Sequence, residues 1–160
     1  MAIRNFANDD AATVAMLVSE SNKSVAAMFG LNARNCPKHP SLCTVQWVGA
    51  EIACGERYFI LDDAVAGPIA CVAYESVGPG RAYLNRLSVL PSHQRNGAGA
   101  RLVQHVIEHA RAEGVGVISI GVIGEHLQLQ RWYGKLGFIS GETKRFAHLP
   151  FSVMYMTLAI

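Results

Sequence analysis

The sequence predicts an α/β fold, with helices packed on a mixed β-sheet. Turn signals divide the chain into short elements, and no internal repeat or low-complexity stretch interrupts them. The first third carries helical patterns, and an antiparallel meander follows from residue 57. A strand, helix, strand, helix, strand succession closes the chain, and this order implies a mixed sheet.

Length and composition predict one domain spanning residues 1–160. Hydrophobic residues make up 51% of the chain and charged residues only 16%, which excludes a disordered chain and supplies a buried core. The net charge of +2 is scattered, so no basic block indicates nucleic acid or a membrane surface as a partner. The chain shows no secretory leader and no apolar run of membrane-spanning length. We therefore expect a cytoplasmic protein.

Local patterns place the elements of the first third. The segment Ile3–Phe6 is predicted to be a strand, and a helix capped by Asp9 or Asp10 follows, with Met16 in its apolar stripe. The other elements expected here are a second helix over Ser24–Phe29, a loop over 35–41 and a short helix containing Trp47 and Ile52.

The rest of the chain predicts strands and two further helices. The helical segments show a single apolar face, and the strands are rich in β-branched, aromatic and small residues. Val115–Ile123 is almost continuously apolar, as expected for a strand buried on both faces. The other strands are predicted at Tyr58–Leu61, Pro68–Val77, Ala82–Leu90 and Ser152–Leu158, and the helices at Gly97–Glu113 and Leu127–Leu136.

Four cysteines, Cys36, Cys43, Cys54 and Cys71, are expected to be reduced thiols. A chain that builds its own core has little need of disulfide bonds. The spacing of Cys36, His39 and Cys43 fits no familiar zinc pattern, so no metal site is predicted.

A glycine-containing turn over residues 94–100 separates a predicted strand from an amphipathic helix. Backbone N–H groups at a helix start lack internal partners, and the helix dipole favours negative charge there. Gly97 and Gly99 remove Cβ atoms that would obstruct a pyrophosphate, and Arg95 offers a charged contact. The turn is neither a dinucleotide fingerprint, since residue 102 is Leu, nor a P-loop, since no Gly-Lys-Ser or Gly-Lys-Thr follows. A tight turn that binds nothing is the alternative interpretation.

Two motifs resemble those of the GCN5-related N-acetyltransferase (GNAT) superfamily. Gln94-x-x-Gly97-x-Gly99 is similar to its Arg/Gln-x-x-Gly-x-Gly/Ala motif, and the run Trp132–Phe138 is similar to its Tyr-x-x-x-Gly-Phe signature. The resemblance covers residues 56–158 well and the N-terminal third in outline. It implies the GNAT fold, in which a mostly antiparallel central sheet flanked by helices splays between its fourth and fifth strands.

The resemblance also implies that acetyl-CoA is the co-substrate, with its pyrophosphate on the turn and its pantetheine arm along the preceding strand. A backbone N–H near Leu87 or Val89 would stabilise the oxyanion. His126 stands where many relatives have an Asn that contacts the cofactor. The implied cofactor-binding residues are Leu87, Ser88, Val89, Gln94, Arg95, Asn96, Gly97, Ala98, Gly99, Ala100 and His126.

Tyr133 matches the general acid of the family, and the alternative is a core aromatic beside Trp132. An amine nucleophile must also lose a proton. Many relatives carry a glutamate in the strand that matches Ala82–Leu90, whereas this strand has no carboxylate. Glu75 in the neighbouring strand is the predicted base, with His93 and His126 as alternatives.

The preferred hypothesis is an N-acetyltransferase that moves an acetyl group from acetyl-CoA to a small primary amine by direct attack. A protein N-terminus or lysine is the alternative acceptor, and a longer acyl group the alternative donor. A non-catalytic acyl-CoA-binding sensor is the hypothesis from another class. A homodimer through the C-terminal strand or the N-terminal helices is also open.

Overall fold

The computed structural model describes residues 1–160 and places seven strands in one sheet with four α-helices around it. The strands are β1 (Ala2–Asn5), β2 (Arg57–Asp63), β3 (Gly67–Gly78), β4 (Arg81–Val89), β5 (Val117–Ile123), β6 (Ile139–Arg145) and β7 (Ser152–Ala159). The helices are α1 (Ala11–Phe29), α2 (Val45–Ala53), α3 (Ala98–Ala112) and α4 (Leu127–Lys135), with short 3-10 helices at Pro40–Leu42 and Pro91–His93.

The strand order is β1-β2-β3-β4-β5-β7-β6. Every neighbouring pair is antiparallel except β4 and β5, which run parallel. The connection between these two strands is α3, as a parallel crossover requires. The predicted α/β fold with a mixed, mostly antiparallel sheet is confirmed.

The pairing of β4 with β5 is short. It joins Arg81 to Val117, Ala82 to Ile118 and Tyr83 to Ser119, and no later residues of the two strands pair. Beyond Tyr83 the strands diverge although both continue for several residues. The predicted splay between the fourth and fifth strands is therefore present.

Helices cover both faces of the sheet. Neighbouring residues of β2 point in opposite directions because side chains alternate along a strand. Tyr58 and Ile60 pack in a cluster with residues of α1, whereas Phe59 and Leu61 pack in a cluster with residues of α3. The sheet thus has an α1 face and an α3 face, each with its own buried cluster.

The N-terminal helix differs from the prediction in two respects. One continuous helix spans Ala11–Phe29 where two were predicted, since no Pro or Gly interrupts the segment. Met16 is 42% exposed rather than part of the buried stripe. Asp10 is the N-cap residue, but its carboxylate accepts hydrogen bonds from Arg4 at 2.7 Å and from the Ala7 N–H at 2.8 Å.

The strand β6 was not predicted from the sequence. It pairs with β7 at the edge of the sheet, and all of its residues are exposed. An exposed edge strand shows no alternation of apolar and polar residues, so the pattern that reveals half-buried strands is missing. Its charged residues are typical of a protected sheet edge.

No helix combines the length and the apolar character that crossing a bilayer requires. The four cysteines are unbridged, and Cys54 is the exposed one. No group of three or more His, Cys, Asp or Glu side chains is arranged to hold a metal ion.

Leu102 on α3 is fully buried against the sheet. We expect Leu102→Ala to lower the free energy of unfolding by about 2–5 kcal/mol, because the truncation leaves a cavity in the core. Val65, 97% exposed, is the matched control, and Val65→Ala should change the same quantity by less than about 0.5 kcal/mol. Equilibrium urea denaturation measures both, and equal losses would contradict this packing of α3.

Candidate functional site

A cavity of about 300 Å³ occupies the gap between the diverging strands. Residues 84–87 of β4 line one side and residues 120–123 of β5 line the other. Asn22 of α1, His39 before the first 3-10 helix, and His126 and Tyr133 beside and within α4 complete the polar lining. No Asp or Glu is among the lining residues. We call this space the splay cavity.

A β-bulge shapes the β4 side of the cavity. Cys71 pairs with Ser88 and Ala73 pairs with Asn85, so two residues of β4, Arg86 and Leu87, oppose a single residue of β3. Arg86 has a φ of 48°, in the left-handed region. Such a conformation costs a non-glycine residue about 1–3 kcal/mol, so neighbouring contacts must hold it.

Those contacts come from α2 and β2 on the α1 face. The Arg86 Nε donates a 2.8 Å hydrogen bond to the Tyr58 hydroxyl, and its guanidinium forms ion pairs with Glu51 and Glu56. The Tyr58 hydroxyl in turn donates to Glu51 at 3.1 Å. Burial raises the pKa of the Tyr58 hydroxyl, which therefore stays protonated and able to donate. The network fixes the bulge to the end of α2.

The glycine-containing turn leads into the start of α3. Gly97 is the N-cap residue with a φ of 86°, and no side chain caps the helix there. The nearest side-chain acceptor, Asn96 Oδ1, lies 3.4 Å from the Ala98 nitrogen, which is a long contact. Residues 94–97 are exposed, so the turn that leads into this helix lies at the protein surface. This is the arrangement that binds anions at helix N-termini.

Gly99 packs against α4, a contact that the sequence did not predict. A Cβ atom at this position would lie 3.2 Å from Cζ2 and 3.3 Å from Cη2 of Trp132 on α4. The missing side chain therefore leaves room for an aromatic ring of the protein itself. Gly97 differs, because a Cβ atom there would meet no other atom. Glycine is favoured at residue 97 by its left-handed backbone conformation.

The other side chains predicted to bind the cofactor divide into two groups. Leu87 lines the splay cavity. Ser88 is buried and faces α1, where its hydroxyl donates to the Arg86 carbonyl and accepts from Asn22 at 3.2 Å. The Gln94 side chain donates to the Val89 carbonyl at 3.0 Å. The side chains of Ser88 and Gln94 thus already have hydrogen-bond partners within the protein.

Tyr133 is 5% exposed and lines the splay cavity. Its ring packs edge-on against Trp132, with centroids 4.9 Å apart, and against Phe138 at 5.4 Å. Burial raises the pKa of the Tyr133 phenol. The group is therefore protonated at neutral pH, in a fixed position, and able to donate a proton.

Glu75 lies away from Tyr133. It lines a separate cavity of about 250 Å³ together with Cys54, Arg57 and Tyr74, near the end of α2. Burial, followed by the charge of Glu56, raises the pKa of the Glu75 carboxyl. The structure thus does not bring the predicted acid and the predicted base into one cavity.

Three histidines differ in their relation to the splay cavity. His126 lines it, and its Nδ1 accepts the Leu129 N–H at 3.4 Å. His93 is not among the lining residues, and its Nδ1 lies 2.9 Å from the Ser92 hydroxyl. His39 lines the cavity, although the sequence analysis considered it only as a metal ligand and predicted no metal site. Its position between Pro37 and Pro40 indicated an ordered loop but not what that loop faces.

Comparison with known proteins agrees with this fold. The model of the acetyltransferase (GNAT) family matches residues 27–138. The chain belongs to this family. The match contains the splayed strands, the turn and α4, so the resemblance inferred from the two motifs is confirmed.

Three individual GNAT relatives share between 16% and 30% sequence identity with this chain. The [ribosomal protein bS18]-alanine N-acetyltransferase of Escherichia coli K12 is 30% identical over 91 residues, which are 57% of this chain and 62% of the relative. The coenzyme A complex of PaiA N-acetyltransferase from Thermoplasma acidophilum superposes with a TM-score of 0.83 at 17% identity, over 99% of this chain and 98% of that one. Ribosomal-protein-alanine N-acetyltransferase from Brucella melitensis gives 0.73 at 16%, over the full length of both chains. The two structural matches establish the fold.

The Gly99–Trp132 contact predicts a coupled effect on stability. We expect Gly99→Ala to lower the free energy of unfolding by about 1–3 kcal/mol, because the new methyl group overpacks the indole. In a Trp132→Phe background the loss should shrink, since the smaller ring leaves room for the methyl group. Urea denaturation of the four proteins of this double-mutant cycle measures the coupling. Strictly additive losses would mean that the contact does not constrain residue 99.

Proposed function

We propose that this GNAT protein transfers an acetyl group from acetyl-CoA to a primary amine by direct attack. The observation that carries the proposal is the splay cavity with Tyr133 on its wall, together with an uncapped helix start in the segment that follows β4, one of the strands lining the cavity. Family membership supports the activity. The names of the relatives support it as well, because the E. coli protein is an N-acetyltransferase and the Thermoplasma structure contains coenzyme A.

The residues present fit acetyl-CoA. The uncapped amides of residues 97–100 match a pyrophosphate, and Arg95 adds positive charge at the turn. The β4 backbone over residues 87–89 has no strand partner on its β5 side, although the Val89 carbonyl accepts the Gln94 side chain, so its remaining groups can pair with the amide-bearing pantetheine arm. His126, on the wall beside α4, contacts the cofactor through its remaining ring nitrogen. When bound, acetyl-CoA supplies an acyl carbon activated by its thioester.

Tyr133 serves as the general acid. Amide formation breaks the C–S bond, and the departing sulfur must receive a proton. Tyr133 is a nearly buried residue of the cavity wall. Its hydroxyl is not left buried without a hydrogen-bond partner. The phenol is protonated at neutral pH, so it holds a proton for the sulfur until negative charge develops there.

The lining of the cavity bears on the acceptor. A peptide α-amine has a pKa of about 8, whereas a lysine amine has one of about 10.4. Without a carboxylate in the splay cavity, an amine of low pKa is easier to bring to the neutral, nucleophilic form. We therefore propose as acceptor a small molecule whose primary amine has a pKa near that of a peptide α-amine. The alanine of a ribosomal protein is the second candidate, because the E. coli and Brucella relatives are named for that substrate.

Replacing Tyr133 tests the role of the acid. We expect Tyr133→Phe to lower kcat by about 10²–10⁴-fold, since the sulfur loses its proton donor. The Kd for acetyl-CoA should stay within twofold, about 0.4 kcal/mol, because the ring remains in place. Thiol release with a panel of small amines and N-terminal peptides gives the rates, and calorimetry gives the Kd. Unchanged turnover would remove Tyr133 from the mechanism, and tight binding without turnover in the wild type would indicate a sensor.

The turn has a test with a matched control. Gly97→Ala should weaken acetyl-CoA binding by about tenfold, or 1.4 kcal/mol, because a methyl group strains the left-handed backbone that presents the amides. Gly114, with a φ of 80° at the other end of α3, provides the control. Gly114→Ala should cost similar stability and leave the Kd unchanged. Equal effects on the Kd would show that binding responds to the stability of α3 and not to the turn.

A further inference from the structure

The splay cavity extends through the sheet to its α1 face. Side chains alternate along a strand, and Ile118, Ile120 and Val122 of β5 pack in the cluster that contains α3. The residues between them, Gly121 and Ile123, therefore face α1, and both line the cavity. Gly121 is exposed, although its two neighbours in the strand are buried.

The α1 side of the cavity has a mostly apolar wall. Val25 belongs to α1, and Pro40 belongs to a 3-10 helix that packs against α1. Phe151 packs against a buried cluster at the end of α1, and Val153 lies opposite Ile123 in the sheet. We call these five cavity-lining residues, Val25, Pro40, Ile123, Phe151 and Val153, the α1-side wall.

The cavity offers no free charge to a ligand. Arg86 is the only Lys or Arg among the lining residues, and its guanidinium is paired with Glu51 and Glu56. No Asp or Glu lines the cavity. Burial lowers the pKa of the His39 and His126 imidazoles, so both rings are neutral at neutral pH. Burying a charge without a partner is costly, so the cavity selects against ligands with an additional ionised group.

Gly121 leaves space that the fold itself does not require to be empty. A Cβ atom there would lie 3.4 Å from Cγ1 of Val153 and 3.7 Å from Cε1 of Tyr155, which are ordinary contacts. Its φ is not in the left-handed region, so the backbone would accept an alanine. The missing side chain therefore widens the cavity beside the α1-side wall without serving the packing of β5.

We propose that the acceptor is a primary amine that carries an apolar group and no second charge, with the apolar group on the α1-side wall over Gly121. The inference rests on the proposed acetyl transfer and deepens it by naming the class of acceptor. Amides of aliphatic amino acids have this chemistry. Free amino acids and polyamines carry a second charge, for which the cavity has no partner.

A panel of amino-acid amides tests the class of acceptor. Leucinamide, asparaginamide and the α-amide of aspartic acid have side chains of nearly equal shape that differ in polarity and charge, and lysinamide adds a cation. We expect kcat/KM for leucinamide to exceed that for asparaginamide by about tenfold, and those for the two charged amides by about 10²-fold. Thiol release at saturating acetyl-CoA gives the four values.

Gly121→Ala tests where the apolar group lies. The methyl group takes space beside the α1-side wall, so the ratio of kcat/KM for leucinamide to kcat/KM for glycinamide should fall about tenfold. Gly116→Ala, just before β5 and outside the cavity lining, is the matched control. A Cβ atom at Gly116 would meet only the Gly80 carbonyl oxygen, at 3.9 Å, and this variant should keep the wild-type ratio.

Val25→Asp is a second variant that adds a function. It places a carboxylate on the α1-side wall and should raise kcat/KM for lysinamide relative to leucinamide by about tenfold. Thermal melting followed by circular dichroism establishes that each variant is folded.

Three results would overturn the inference. One is a wild type that prefers an amide with a charged side chain, and another is an unchanged leucinamide-to-glycinamide ratio in Gly121→Ala. The third is an unchanged lysinamide-to-leucinamide ratio in folded Val25→Asp. If the wild type acetylates no amine at all, the proposed function fails together with this inference, whereas a wild type that acetylates charged amines best refutes the class of acceptor alone.

Discussion

The separation of β4 from β5 after three paired positions is the constraint on which the rest of the site depends. A sheet that stayed paired along both strands would bury its backbone groups and leave no internal gap. Here the divergence leaves polar strand edges inside the protein, next to side chains from α1, α4 and β7. Such edges need partners. A ligand that carries amides of its own can supply them, which explains why one architectural feature both opens the cleft and determines what fits there.

The bulge at Arg86 keeps that gap in its shape. A left-handed arginine in a strand is unfavourable, and burying its charge adds a further cost. Buried ion pairs often contribute little net stability, because desolvation offsets their attraction. The pairs with Glu51 and Glu56 are therefore better explained by the conformation that they fix than by the stability that they add. They also make α2 part of the site, although α2 contributes no side chain to the cavity lining.

The sequence predicted what depends on local chemistry. The strand before the turn, the helix after it and the position of Tyr133 follow from short patterns, and the splay followed from family resemblance. Contacts between distant segments were not predictable. Nothing in the residues around His39 indicates that their loop reaches β4 and β5 across the end of α1. Glu75 was placed in the correct strand, but the cavity that its side chain enters is determined by the surroundings of that strand.

The contact between Gly99 and Trp132 joins the two segments by which the family was recognised. They are 33 residues apart in the chain, yet the start of α3 packs directly against α4, the helix that carries Tyr133. A chimaera that takes its turn from one GNAT protein and its fourth helix from another would therefore combine two packing surfaces shaped for different partners. We expect the two motifs to be exchangeable as a pair and not one at a time.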